Sequence, residues 1–165
     1  MSHLAGTLFE FGNHNIVGKT ILDVGCRNSE NKKFFNEKGF QWTGVDKYPE
    51  GRDVQAMDMT DLAFPSESFD VVFVCHSLEH CEDPIGAIKE FKRVLTTDGT
   101  LFISLPCHCK HHILESDSDH IFCFTDMQIT RLLIYCGLDK DFFIVNSYNG
   151  YPDPEKYNLI AMVKK

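Results

Sequence analysis

From Thr20 onward, short apolar runs alternate with stretches whose apolar residues recur at helical spacing. That alternation predicts a parallel sheet with helices on its faces. The first apolar run, about Thr20–Val24, reads as a buried strand that stops in a turn. A helix is expected over roughly Glu30–Lys38, with Phe34 and Phe35 inward and Gly39 ending it. Strands follow at about Gln41–Val45, near Asp53–Ala56 and at Asp70–Cys75; the last is nearly all apolar, as a strand covered on both faces must be.

The next helix is well punctuated. Asp83 can cap it, Pro84 suits its first position, and Ile85, Ile88, Phe91, Val94 and Leu95 form one stripe. Asp98-Gly99 then turns the chain into a fifth strand, Thr100–Leu105, which Pro106 is expected to end. Thr125 and Gln128 make a capping-box pattern opening a helix with Ile129, Leu132, Leu133 and Cys136 on one side and Gly137 at its end. Phe142–Ser147 and Tyr157–Val163 flank a turn rich in Gly and Pro, so the last strand should run antiparallel. Residues before Thr20 are weakly patterned, and a short arm over 1–19 attached to one domain, 1–165, is expected.

Three acids stand where successive strands end: Asp23 before Gly25, then Asp46, then Asp58. Carboxylates at the C-terminal ends of neighbouring parallel strands converge on one crevice. They are acceptors, and the ribose hydroxyls and adenine amino group of a nucleoside are donors. Taken singly, Asp23 also suits a turn acid bonding backbone amides, and Asp46 and Asp58 suit solvated loop acids. Their joint placement favours the site.

Bulk properties narrow the function. The 165 residues carry a formal net charge of -8, which lacks the electrostatic footprint of a nucleic-acid binder. No apolar stretch is long enough to span a bilayer, and the N-terminus lacks a basic and apolar leader pattern. The seven cysteines, odd in number and several within apolar runs, suit reduced thiols in a cytoplasmic protein.

The ordered set Leu22-Asp23-Val24-Gly25-Cys26, Val45-Asp46, Met57 to Pro65, Ser68-Phe69-Asp70-Val71-Val72, Leu78-Glu79-His80 and Gly99-Thr100-Leu101 resembles class I S-adenosylmethionine-dependent methyltransferases of the type 11 branch. The resemblance is close from Thr20 to Pro106 and loose elsewhere. It implies an α/β, three-layer Rossmann-like fold: a doubly wound seven-stranded sheet of order 3-2-1-4-5-7-6 with strand seven antiparallel. It also implies S-adenosyl-L-methionine as cofactor. The turn Asp23 to Ser29, including Gly25, Cys26 and Arg27, should pass under the methionine end. Asp46, with Lys47 beside it, should take the ribose; Asp58 should accept from the adenine amino group while the Met59 backbone reads a ring nitrogen. Cys75, His76 and Ser77 should border the sulfonium.

One departure stands out. The family usually has a glycine-rich turn after Gly25, and here Arg27-Asn28-Ser29 follow. Dinucleotide binding needs those glycines to seat a pyrophosphate. S-adenosylmethionine has no phosphate, so the replacement argues against a nicotinamide-dependent oxidoreductase. Arg27 is either a partner for the cofactor carboxylate or an exposed turn residue.

The implied reaction is in-line methyl transfer to an O, C or N acceptor, which is a small molecule, glycan or protein that the sequence does not identify. A base is needed only for an unactivated hydroxyl. His76 and His80 are the leading candidates; Glu79, His108, His111, His112 and His120 are others. The Asn/Asp-Pro-Pro-aromatic signature of amino methylation is absent after strand four, where Cys75-His76-Ser77-Leu78 stands. Cys107-His108-Cys109-Lys110-His111-His112, with Asp119-His120 and Cys123 beyond, matches no common zinc spacing, so no metal is expected. Family members commonly carry helices before strand one that roof the site; the short arm here suggests an open site for a large acceptor, or a roof supplied by a homodimer partner or other subunit. The competing reading is a non-catalytic cofactor-binding subunit with the same fold.

Overall fold

The computed structural model describes residues 7, 8, 11, 12, 14, 16, 18–108, 119–147 and 156–165, with residues 107, 108, 146, 147, 156 and 157 by backbone alone. Seven strands form a single sheet: β1 (Thr20–Val24), β2 (Gln41–Asp46), β3 (Val54–Ala56), β4 (Phe69–Cys75), β5 (Leu95–His108), β6 (Lys140–Ser147) and β7 (Lys156–Lys164). Among the described residues, three helices are complete: α1 (Glu30–Glu37), α2 (Pro84–Val94) and α3 (Asp126–Tyr135). The order is β3-β2-β1-β4-β5-β7-β6, with β7 antiparallel to both neighbours, as the sequence led us to expect.

Period-2 alternation assigns side chains to two cores. Val72 and Val74 of β4, Leu101 and Ile103 of β5, and Leu159 and Ala161 of β7 face one side, where Ile88 and Phe91 of α2 and Ile129 and Leu133 of α3 cover them. Val71, Phe73, Phe102 and Ile160 face the other side with Phe35 of α1. Phe73 and Phe102 stack there at 5.3 Å, and Phe11 meets both rings edge-on. Phe11 is 2% exposed, so the N-terminal stretch contributes a core side chain that its weak patterning concealed.

The helix punctuation holds. The Asp83 carboxylate accepts from the Gly86 N–H at 2.9 Å with Pro84 opening α2, and the Thr125/Gln128 capping box is formed. Gly39 and Gly137 follow α1 and α3 with left-handed φ of 90° and 75°. Two expectations about the fifth strand need correction. Leu95 already pairs with Phe69, and register resumes with Thr100 opposite Val71. Asp98-Gly99 is therefore a bulge inside one long strand, with Asp98 at φ 64°. Nor does Pro106 end the strand. Pairing with β4 stops at Ser104 while pairing with β7 continues to His108, and a proline is tolerated where one side of a strand has no ladder. The expected turn between the last two strands lies outside the described residues.

The register positions the site. Val24 pairs with Val45 and with Val74, and Asp46 pairs with Ala56. The C-terminal ends of β1, β2, β3 and β4 therefore lie along one edge, at the point where the chain reverses its winding direction between β1 and β4. That is where open α/β sheets bind ligands.

Candidate active site at the strand ends

Gly25 follows β1 with φ 70°, a conformation that favours glycine. Its amide donates to the Val45 carbonyl at 2.8 Å. A Cβ there would run into the Ser77 side chain, 2.6 Å from its Oγ. Ser77 is buried and donates from that Oγ to the Val24 carbonyl at 3.1 Å. The turn after β1 and the segment after β4 are thus pressed together with no room for a side chain between them.

Asp46 organises the neighbouring loops. Its Oδ2 accepts from the Arg27 N–H at 2.8 Å and its Oδ1 from the Tyr48 N–H at 2.7 Å. The Met57 N–H donates to the Asp46 carbonyl at 3.0 Å, tying the segment before Asp58 to the end of β2. Asp58 accepts from both the backbone N–H and the hydroxyl of Thr60, at 3.0 and 2.8 Å, and pairs with Lys47 at 2.9 Å. The Thr60 amide first, then Lys47 and the Thr60 hydroxyl, hold the Asp58 carboxyl down at about 2. Asp46, Lys47 and Asp58 form one linked group, and Met59 packs beside it against the core. The i to i+2 bonds at Asp46-Tyr48 and Asp58-Thr60 are Asx turns, the role that the sequence suggested for Asp23.

Asp23 differs from the other two acids. It is 1% exposed, and its Oδ2 accepts from Asn31 Nδ2 at 2.9 Å and from the Trp42 indole at 3.0 Å. Burial pushes its carboxyl up to about 6 against those two donors. Asp23 joins β1, α1 and β2 from inside the fold. Neither partner carried a local signal, because both are brought to it by the βα crossover.

Arg27 sits in the left-handed region at φ 55°, a conformation that glycine adopts without strain and other residues rarely do. Its guanidinium is exposed and pairs with Glu50 at 2.7 Å, the geometry of a surface turn residue. Cys26 and Cys75 lie at the ends of β1 and β4; burial pushes the Cys75 thiol up to about 12 and raises Cys26 too, with Asp23 and Asp46 adding to the latter.

His76, the residue after β4, also has a left-handed φ of 49°. Its N–H donates to the Ser104 carbonyl at 2.9 Å, and its Nε2 lies 2.7 Å from Asn158 Oδ1. Asn158 Nδ2 donates to Thr7 Oγ1, which in turn meets Ser104 Oγ at 3.0 Å. Thr7, Ser104 and Asn158 were not legible as site neighbours, since they come from three distant parts of the chain. His80 is set apart, its Nδ1 2.9 Å from the Asp119 carbonyl. Of the cysteine- and histidine-rich segment, Cys109, His111 and His112 lie outside the described residues, and Cys107 and His108 are described by backbone alone.

A family described as a methyltransferase domain matches residues 22–103, the stretch that contains the C-terminal ends of β1, β2, β3 and β4. The chain belongs to this methyltransferase family. A ubiquinone biosynthesis O-methyltransferase of Haemophilus ducreyi is 31% identical over 110 residues, covering 55% of this chain and 47% of that protein. The chain thus spans about half the length of such curated relatives. A SAM-dependent methyltransferase from Archaeoglobus fulgidus shares the fold at TM-score 0.74, 17% identity, and coverage of 98% of this chain and 93% of that one. So does a Burkholderia thailandensis 1,6-didemethyltoxoflavin-N1-methyltransferase solved with S-adenosylhomocysteine, at TM-score 0.71, 19% identity, and coverage of 96% and 76%. The matched stretch contains Asp46 and Asp58, and Arg27-Asn28-Ser29 follow its Gly25-Cys26. Among the described residues no helix is long and apolar enough to cross a membrane.

Proposed function

We propose that this chain binds S-adenosyl-L-methionine across the ends of β1–β4 and transfers its methyl group in line to an oxygen, carbon or nitrogen acceptor. The observation that carries the reading is the linked pair Asp46, the last residue of β2, and Asp58, two residues past β3, joined by the Met57–Asp46 and Lys47–Asp58 contacts. Asp58 is held ionised, so it is an acceptor for an adenine amino group. Each Asp46 oxygen already takes one backbone donor and keeps lone-pair capacity for ribose hydroxyls. The turn Gly25-Cys26-Arg27 carries the methionine end, and Cys75 to Ser77 border the sulfonium.

The cofactor supplies an activated methyl group on a cationic sulfur. The chain's own residues position it and keep it from wrong nucleophiles. Thiolate, not thiol, is the nucleophilic form of cysteine. Burial keeps Cys26 and Cys75 as neutral thiols, which do not compete for the methyl group. Where the acceptor is a hydroxyl, His76 is the proposed base. The Asn158 amide, with Nδ2 on Thr7, presents Oδ1 to His76 Nε2, so Nε2 carries the proton and the ring is held in one orientation. Aligning cofactor and acceptor can supply on the order of 7–11 kcal/mol in favourable cases. Free thiols at Cys26, Cys75, Cys81, Cys123 and Cys136 support a reducing compartment such as the cytoplasm. A crystal structure with S-adenosylhomocysteine tests the assignment. The ribose hydroxyls should lie within hydrogen-bond reach of Asp46; a nucleoside bound elsewhere, with Asp46 on solvent, rules it out.

A further inference from the structure

Away from the adenosine-binding acids, a carboxylate and two imidazoles converge. Glu79 and His80 lie in the short 3-10 turn Leu78–His80 after β4, and His120 lies in the segment leading to α3. The Ile121 and Phe122 amides both donate to the Glu79 carbonyl, at 2.9 and 3.0 Å. The segment carrying His120 is therefore pinned to the turn carrying the other two residues.

Glu79 Oε1 lies 4.0 Å from His80 Nε2 and 4.0 Å from His120 Nε2, and one donor atom from each residue falls within 4.8 Å of the others. The two rings meet edge-on with centroids 4.8 Å apart. Side-chain exposures are 2% for Glu79, 14% for His120 and 43% for His80, which describes a dry floor with an open mouth. His80 Nδ1 is 2.9 Å from the Asp119 carbonyl, which can only accept. Nδ1 therefore carries the proton, and the Nε2 lone pair is the one turned towards Glu79. A ring nitrogen anchored on a backbone carbonyl is the outer-shell arrangement that orients metal-binding imidazoles.

We propose that Glu79, His80 and His120 bind one divalent transition ion of the zinc class, with a fourth coordination position open. Two imidazoles and one carboxylate are a three-ligand zinc set. Tetrahedral ligands at zinc stand roughly 3.3–3.5 Å apart for bonds of about 2.0–2.2 Å, so the three donors need to close in by under about 1.5 Å. This set departs from the expectation of no metal. That expectation was read from spacing within the cysteine- and histidine-rich segment, and Glu79 is supplied from another strand end. Ion binding does not require the methyltransferase reading.

Chelator-treated, untagged protein titrated with cobalt(II) tests the site, followed by displacement with zinc(II). One equivalent should give a saturable visible absorption band that zinc abolishes. Glu79→Gln, His80→Ala and His120→Ala should each weaken cobalt binding at least tenfold with the far-ultraviolet dichroism unchanged. No saturable band in the parent protein overturns the proposal. So does a folded His120→Ala variant that binds as the parent does, or a loss confined to Cys109→Ser and His111→Ala. Should Glu79→Gln fail to fold, the more exposed His80 and His120 variants decide. Calorimetry with S-adenosylhomocysteine on the same samples separates the two readings: retained nucleoside binding without cobalt binding removes the metal site alone.

Discussion

Replacing Gly25 by alanine tests the close approach on which the site's geometry rests. The residue has φ 70°, and an added Cβ lands against Ser77, 2.6 Å from Oγ. A left-handed conformation costs a non-glycine residue on the order of 1–2 kcal/mol. Forcing a methyl group into a packed contact adds about 1–3 kcal/mol. The sum, about 2–5 kcal/mol, is a large part of the 5–15 kcal/mol that typically separates folded from unfolded states. Urea unfolding of Gly25→Ala, Ser77→Gly and the double variant measures both parts. Ser77→Gly removes the atoms that collide but also the bond to the Val24 carbonyl. The two substitutions should therefore couple, the double variant being more stable than additivity allows by about 1–3 kcal/mol. A loss below about 1 kcal/mol for Gly25→Ala, or strict additivity, would refute the reasoning.

Other outcomes follow from single residues. Asp23 has its carboxyl at about 6 in the folded protein against 3.8 ordinarily. A raised folded value favours the protonated native state, so this contribution is complete below pH 3.8 and is lost as pH rises through 6. About 2 pH units at about 1.4 kcal/mol each amount to about 3 kcal/mol. Denaturant titrations of Asp23→Asn should show that slope flattened between pH 4 and 6; an unchanged slope contradicts the assignment. Asp58 has the opposite sign: its depressed value adds stability above pH 3.8 that is lost as pH falls towards 2. Removing its amide and hydroxyl partners by moving Thr60 is impractical, but Thr60→Val deletes the hydroxyl alone and should raise the Asp58 titration midpoint, read by carboxyl NMR. At Arg27, held at φ 55°, Arg27→Val should destabilise by about 1 kcal/mol or more while Arg27→Gly stays within about 0.5 kcal/mol, by thermal unfolding. Equal effects of the two would show that backbone strain is not what distinguishes them.

Much of the frame was legible because it is written in local periodicity. β1, β4, α2 and the Thr125 capping box sit within a residue or so of where apolar spacing and capping chemistry place them. Asp46 and Asp58 were legible too, as acids standing just after apolar runs. The fifth strand was misjudged because Asp98-Gly99 and Pro106 carry genuine turn and breaker signals. Pairing with β4 and β7 overrides the first as a bulge, and the missing β4 ladder beyond Ser104 accommodates the second. Asp23 was read as a turn or cofactor acid, yet it bonds Asn31 and Trp42. Such contacts depend on how elements cross, which no local pattern records. Phe11, and the Thr7–Ser104–Asn158 chain behind His76, were hidden for the same reason.

The central claim is that the acids after β2 and β3 hold one adenosine. Isothermal titration of S-adenosyl-L-methionine into the parent protein, Asp46→Ala and Asp58→Ala tests it most directly, with NAD as control. Hydrogen bonds to a charged acceptor contribute about 1.5–3 kcal/mol, and about 1.4 kcal/mol is tenfold. Each variant should therefore bind at least about tenfold more weakly while remaining folded, and NAD should give no heat of binding. Unchanged affinity in both variants, or tighter binding of NAD, would contradict the account.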